Sequence, residues 1–254
     1  MDENVKPEKE RIEHYSNSSA STFRRCKYKY QLLYGKGKVE LPQEEGNGLR
    51  LGSAGHMAMR AFYSGEKPSV AFDWAYEEFD PQTEAEYKKF EELKAVLRKY
   101  FPLAYMDGWE ILEVEKKIEL DRYQGIFDLV VRTKQGKIWI VDHKFRKSRQ
   151  MSHLEVDTQV SFYLMLAKLI GVEVEGLLYN IIPMDGKGDG EPIRRLCFRT
   201  PWYLENFKRD LDAQILEMDA FYGNPNPYRN QTGDCSWDCT LYNYCLKQLG
   251  AKPK

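Results

Sequence analysis

The chain has 254 residues, 42% hydrophobic and 13% aromatic, which is enough apolar material for one large or two small folded domains and too much for a disordered polymer. A formal net charge of -1 excludes a protein that coats nucleic acid by bulk electrostatics, so any phosphate contact has to come from a local basic patch. No apolar run approaches the ~20 residues of a membrane helix, and the charged opening MDENVKPEKERIEHYS lacks the apolar stretch of a secretory signal, so a cytoplasmic protein without a membrane partner is expected.

In chain order, SSASTFRRCKYKYQLLY (18–34) reads as a capped helix start running into one amphipathic segment. GLRLGSAGHMAMRAFY is a glycine-marked helix through about Tyr63. Helical spacing of Phe72, Trp74, Phe79, Phe90, Leu93 and Leu97 predicts two more helices over 69–80 and 82–101. The pattern then changes to period two in WEILEVEKKIEL, followed by the apolar strand pair of GIFDLVVRTKQGKIWIVDHKF (125–145) around a polar, glycine-bearing turn. VDTQVSFYLMLAKLIG returns to helical spacing and ends at Gly171, a typical residue just past a helix. VEGLLYNIIP and PIRRLCFRT are strands around the loop MDGKGDGEP, a helix follows from about Trp202 to Tyr222, and the chain closes on a cysteine-bearing tail. The economical reading is one α/β domain over 1–254, with a helical flank (18–109), a sheet core (110–200) and a terminal helix and clasp (201–254).

The strand pair carries the chemistry. With its turn centred near Gln135, an antiparallel register sets Asp128 opposite Asp142, Cβ atoms roughly 5 Å apart. Lys144 lies two residues further on the same face. Opposed carboxylates repel, and magnesium or manganese would relieve the repulsion while leaving sites for water and phosphate. Lys144 is then placed to orient or activate water and to stabilise phosphate charge. Acid-x-lysine strings also occur at Glu86, Glu92, Glu115 and Asp185, but only the hairpin sets a second acid across from one. A plain hairpin with solvated acids is the competing reading.

The cysteines are Cys26, Cys197, Cys235, Cys239 and Cys245, an odd number that argues against a disulfide framework and for metal or cluster ligation. Cys235, Cys239 and Cys245 need a fourth ligand, which Cys26 could supply. The paired C-x2-C knuckles of a zinc ribbon are missing, which favours an iron-sulfur cluster over zinc. Cys197, on a predicted strand, is the core residue left over. Two basic clusters, Arg24, Arg25, Lys27, Lys29, Lys36 and Lys38, then Lys144, Arg146, Lys147 and Arg149, are either phosphate contacts or solvated faces.

Gly125-Ile126-Phe127-Asp128 followed by Asp142-His143-Lys144 resembles the PD-(D/E)XK nuclease superfamily, specifically its RecB-like branch, with GxxD and (D/E)xK strands. GSAGHMAMRAF places His56 where that branch has a metal-binding histidine, and Gln159 to Tyr163 matches its QxxxY helix, whose two residues share a face. The cysteine order, one before the core and three after it, is similar to the iron-sulfur members, the AddB-type and CRISPR-adaptation exonucleases. Lys27 in place of a proline after Cys26, and three residues rather than two between Cys235 and Cys239, depart from that pattern. The resemblance implies a PD-(D/E)XK fold and a metal-dependent DNA exonuclease acting on DNA ends in recombination, repair or CRISPR-type adaptation. It implies His56, Asp128, Asp142 and the main-chain carbonyl of His143 as ligands of Mg2+ or Mn2+. On the preceding strand Glu115 is placed to add a ligand or hold a metal-bound water, with Glu113, of the same strand-face parity, as the competing choice. Lys144, Gln159 and Tyr163 would be catalytic, and Cys26, Cys235, Cys239 and Cys245 would hold a [4Fe-4S] cluster stapling the chain ends. Arg24, Arg25, Lys27, Lys29, Arg146 and Lys147 would contact DNA, with Tyr28 or Tyr30 available to stack bases. No P-loop string occurs, so a helicase would be a separate partner. A catalytically silent nucleic-acid-binding subunit and a zinc-stabilised binding module are the rivals.

Overall fold

The computed structural model describes residues 13–35, 47–185 and 191–251; Lys36, Lys38 and most of the MDGKGDGEP loop lie outside them. Two compact units emerge, one made of residues 1–45, 119–124 and 205–254, the other of 46–118 and 125–204.

In the first unit, the segment expected to be one helix is two, α1 (Asn17–Arg25) and α2 (Lys27–Tyr34). Ser16 and Ser19 form a reciprocal capping box at the start of α1. The chain then becomes extended at Cys26 (φ -157°, ψ 114°), whose sulfur accepts the Lys29 N–H and caps α2. The break is made by that cap and is invisible to hydrophobic spacing, which continues across it. Tyr15 is tied to the 119–124 segment by main-chain bonds to Arg122 and Gln124, and its hydroxyl donates to Asp219 at 2.7 Å.

The second unit opens with α3 (Asn47–Tyr63), α4 (Pro68–Phe79) and α5 (Glu84–Asp107). Helix α5 passes through Pro102 and ends at Asp107, capped by Gly108 (φ 61°), six residues past the predicted end at 101. The lost main-chain bond is offset by burial of Phe101 and Ala104 in the apolar cluster that these helices share. The sheet is mixed, β1 (Glu110–Leu120), β2 (Tyr123–Arg132), β3 (Ile138–Arg146), β4 (Gly176–Pro183) and β5 (Ile193–Cys197) in that spatial order. β2 and β3 are antiparallel, β3 and β4 parallel, β4 and β5 antiparallel. The parallel step is bridged by α6 (Thr158–Leu169), capped by Asp157 and followed by Gly171 in the left-handed region, as its sequence predicts. β4 is buried along its whole length, as suits a strand covered on both faces.

Helix α7 (Pro201–Phe221) leads back to the first unit, where short helices α8 (Cys235–Asp238) and α9 (Tyr242–Gln248) carry the terminal cysteines. Among the described residues no helix is long and apolar enough to cross a membrane.

Candidate active site

The β2-β3 ladder pairs Arg132 with Ile138 through to Leu129 with Val141, so the turn is centred on Gln135 as expected. One more step would set Asp128 opposite Asp142, but there the strands part. The Asp128 carboxylate reaches across and accepts the main-chain N–H of His143 at 2.7 Å. The side chains report the same event. A Cβ on Gly125 would meet Leu166, Phe162 and Tyr163 of α6, and the Phe127 ring lies 5.2 Å from that of Tyr163. Leu129 and Val131, two and four residues on, instead pack with Tyr63 and Trp109. Strict alternation would put these odd-numbered residues on one face, so β2 is turned at Asp128 and presents this carboxylate at the divergence of two strands.

Three ligand-type side chains converge there. His56, Glu115 and Asp128 each place one ligand atom within 4.8 Å of the others, with His56 Nδ1 3.4 Å from Asp128 Oδ2. Glu115 arrives through a backbone in the left-handed region (φ 49°), a conformation uncommon for a residue with a Cβ. That turn separates it from Glu113, which pairs with Lys116 instead. Burial, then the Asp128 charge, raises the Glu115 pKa.

Asp142 sits beside this set, 2% exposed. Its carboxylate accepts from Lys144 Nζ at 2.9 Å and from Gln159 Nε2 at 3.3 Å, and Gln159 also donates to the Tyr163 hydroxyl at 3.1 Å. Burial pushes the Asp142 pKa up to about 6, with Lys144 pulling it down and Asp128 adding to the rise. The Lys144 ammonium is opposed by burial, yet Asp142 and Asp128 together outweigh that cost and hold it protonated. Burial likewise keeps Tyr163 a neutral phenol. The structure therefore brings together His56, Glu115, Asp128, Asp142, Lys144, Gln159 and Tyr163.

A second cluster lies wholly within the first unit. Cys26, Cys235, Cys239 and Cys245 line one cavity of about 240 Å³. All are free and half-buried, whereas Cys197 is buried. Two main-chain amides point at these sulfurs, Lys29 N–H at Cys26 and Thr232 N–H at Cys235, each at 3.5 Å. Arg229, which lines the same cavity, lies 3.8 Å over the Tyr28 ring.

The basic residues are partly engaged. Arg24 donates to Gln214, Arg25 pairs with Asp238 at 2.6 Å, and Lys27 covers the Phe23 ring at 3.3 Å. Tyr30 is fully buried against Phe23 and Tyr34, so it packs the unit and is closed to base stacking. Arg146 ends β3 and lies over the Tyr179 ring, and Lys147 follows it just outside the strand.

Sequence reasoning missed a buried polar group on the opposite face of β3, made by His143, Asn180, Tyr100 and Arg194. The signal was present. Asn180 is the only amide in the otherwise apolar GLLYNIIP strand, and a buried amide demands partners.

A mixed sheet carrying two acids and a lysine where adjacent strands diverge, with a histidine delivered by a preceding helix, is the arrangement of a nuclease core. Residues 14–246 match the PD-(D/E)XK nuclease superfamily, and the chain belongs to that superfamily. Among solved structures it is similar to a "putative exonuclease" from Eubacterium rectale, 18% identical over 89% of this chain and 87% of that one, with a TM-score of 0.53. A structure named SSO0001 is 15% identical over 74% of this chain and 80% of its own, at a TM-score of 0.34. No curated protein matches the sequence.

Proposed function

We propose that the chain is a divalent-cation-dependent DNA exonuclease. The observation that carries this reading is the convergence of His56, Glu115 and Asp128 beside the buried Asp142–Lys144 pair. Carboxylates and an imidazole at the turned end of β2 suit Mg2+ or Mn2+, with the main-chain carbonyl of His143 as a further ligand. Bound there, the ion would supply positive charge to a phosphodiester and its attacking water. The rest belongs to the side chains. Asp142 fixes the Lys144 ammonium, which is held charged and offers donors both to the phosphate and to the incoming water. From α6, the Gln159 amide orients Asp142 directly, and the Tyr163 hydroxyl holds that amide by accepting from it. Arg146 and Lys147, immediately past Lys144, extend the path for the phosphate backbone, with Arg24, Arg25, Lys27 and Lys29 as a second basic stretch.

Action on DNA ends, in recombination, repair or CRISPR-type adaptation and with any helicase as a separate partner, follows the RecB-like resemblance and the name of the Eubacterium rectale neighbour. Incubating the protein with Mn2+ and end-labelled linear or circular DNA tests the reading. Loss of linear substrate only, reduced about 100- to 1,000-fold in Asp142→Ala and Lys144→Ala, is expected. Variants as active as wild type would overturn the site, and cutting of circles would replace exonuclease by endonuclease.

The four-cysteine cavity supports a [4Fe-4S] cluster as the second cofactor. Four thiols from separated segments line it, and main-chain amides aimed at two sulfurs are the donors that cluster thiolates attract. Tetrahedral zinc, with bonds of about 2.3 Å, would draw its sulfurs to about 3.8 Å apart. Either occupant would set the final spacing of the thiols on binding, so colour and metal content decide between them. Anaerobic purification should give brown protein absorbing near ~400 nm; colourless protein carrying zinc would reject the cluster.

A further inference from the structure

We propose that Asn180 is a positioning residue for the Asp128 carboxylate, acting through His143; this rests on the cation-site reading above. His143 faces two ways. Its main-chain N–H holds Asp128 at 2.7 Å, while its ring, 1% exposed, points away from Asp142 and Lys144 to the other face of the sheet. There it stacks on Tyr63, centroids 5.6 Å apart and planes 12° from parallel, with its Nδ1 2.8 Å from Asn180 Nδ2. Asn180 is the register partner of His143 on the parallel strand β4.

The hydrogen-bond chemistry fixes every atom of this contact. A guanidinium can only donate, so Arg194 Nε, at 3.1 Å, identifies the Asn180 oxygen. The amide nitrogen must then face the other way, where it donates to the Tyr100 hydroxyl at 3.2 Å and to His143 Nδ1. Nδ1 is therefore the acceptor and the ring proton sits on Nε2. Arg194 is itself clamped by both oxygens of Asp107 at 2.6 Å, and Tyr100 meets the Tyr63 hydroxyl at 3.0 Å. The Asn180 amide thus spends its oxygen and both protons on groups anchored in α5, β5 and β3. The consequence falls on the opposite face. The parallel ladder to β4 runs through this pair, and the ring contact adds a second anchor that sets the position of the His143 N–H against Asp128. Without that anchor the N–H shifts relative to the Asp128 carboxylate, which then sits less well in the set it forms with His56 and Glu115. Partners standing behind metal ligands are typically worth about 10–100-fold in metal affinity or activity.

Mn2+ titration of the full-length protein by electron paramagnetic resonance tests this directly, with kcat and KM on linear DNA measured alongside. Asn180→Leu and His143→Phe, which keep the volume and, for phenylalanine, the stacking on Tyr63, should each raise the Mn2+ dissociation constant about tenfold or more. KM for DNA should stay within about twofold. The double variant should bind Mn2+ no more weakly than either single, because both act through one contact. A variant that merely unfolds in part would lower the number of Mn2+ ions bound while leaving the dissociation constant of the folded fraction unchanged. Unchanged affinity in folded Asn180→Leu, or additive losses in the double variant, would overturn the proposal. Wild-type protein that binds no Mn2+ would remove the cation site and this proposal with it, and is recognised separately because it needs no variant.

Discussion

At the scale of single residues the candidate site is unfavourable by design. Asp142 is buried with its pKa pushed up to about 6, by burial first and by Asp128 in addition, and Glu115 is raised by burial and the same neighbour. A raised carboxyl pKa means that the folded, cation-free site holds protons well above the ordinary range near ~3.9 to 4.3. A divalent cation must displace them. Binding of Mn2+ near pH 6 should therefore release protons, and the share that comes from Asp142 should vanish by about pH 8, where that carboxyl is already ionised. Calorimetry in buffers of different ionisation enthalpy reads this number, and a cation uptake that releases no proton at pH 6 contradicts the shared site. Glu115→Gln, which keeps the shape but removes the charge, should weaken Mn2+ binding about tenfold or more, whereas Glu113→Gln, on the Lys116 side of the left-handed turn, should leave it unchanged.

At the scale of elements, packing sets the reach of each ligand. A Cβ on Gly55 would fall 2.5 Å from the Phe145 ring, and that ring lies edge-on to His56 with centroids 5.7 Å apart. Gly55→Ala should therefore push α3 off β3 or turn Phe145 aside. A cost of about 1–3 kcal/mol in stability, measured by denaturant unfolding, is expected, with a fall in nuclease activity because His56 rides on the same turn of helix. Wild-type stability and activity in Gly55→Ala would deny that contact its role. The hairpin was legible in the sequence because period-two spacing and a glycine-bearing turn are local properties. The face switch at Asp128 was not, since it arises from one side chain taking a main-chain N–H from the neighbouring strand. Glu115 could not be separated from Glu113 by parity, because alternation assumes a regular strand and the left-handed residue breaks it. The division of α1 from α2 at Cys26 and the passage of α5 through Pro102 escaped for related reasons. The first depends on a thiol cap, the second on burial contributed by other helices.

At the scale of the whole molecule, two chemical centres lie in two compact units, the carboxylate site in one and the four cysteines in the other. Both are readable as residue sets in the sequence, because spacing and order are properties of the chain, while the cavity and the buried Asn180 network exist only after folding. If the cysteines hold a cluster, its binding energy is part of the folding energy of that unit. Cys239→Ser or removal of iron by a chelator should then lower the melting temperature by about 5 °C or more, followed by circular dichroism. An unchanged melt after complete loss of iron would show that the cluster is no staple. The net charge of -1 further predicts that DNA binding depends on few phosphate contacts, so neutralising Arg146 and Lys147 together should flatten its salt dependence. An unchanged slope would place the DNA elsewhere.

The most direct measurement is anomalous X-ray diffraction from crystals soaked in Mn2+. A manganese peak is predicted among His56, Glu115 and Asp128, beside the Asp142–Lys144 pair, and lost in Asp128→Ala crystals. A wild-type crystal with no peak there, or with its only manganese bound elsewhere, would contradict the account.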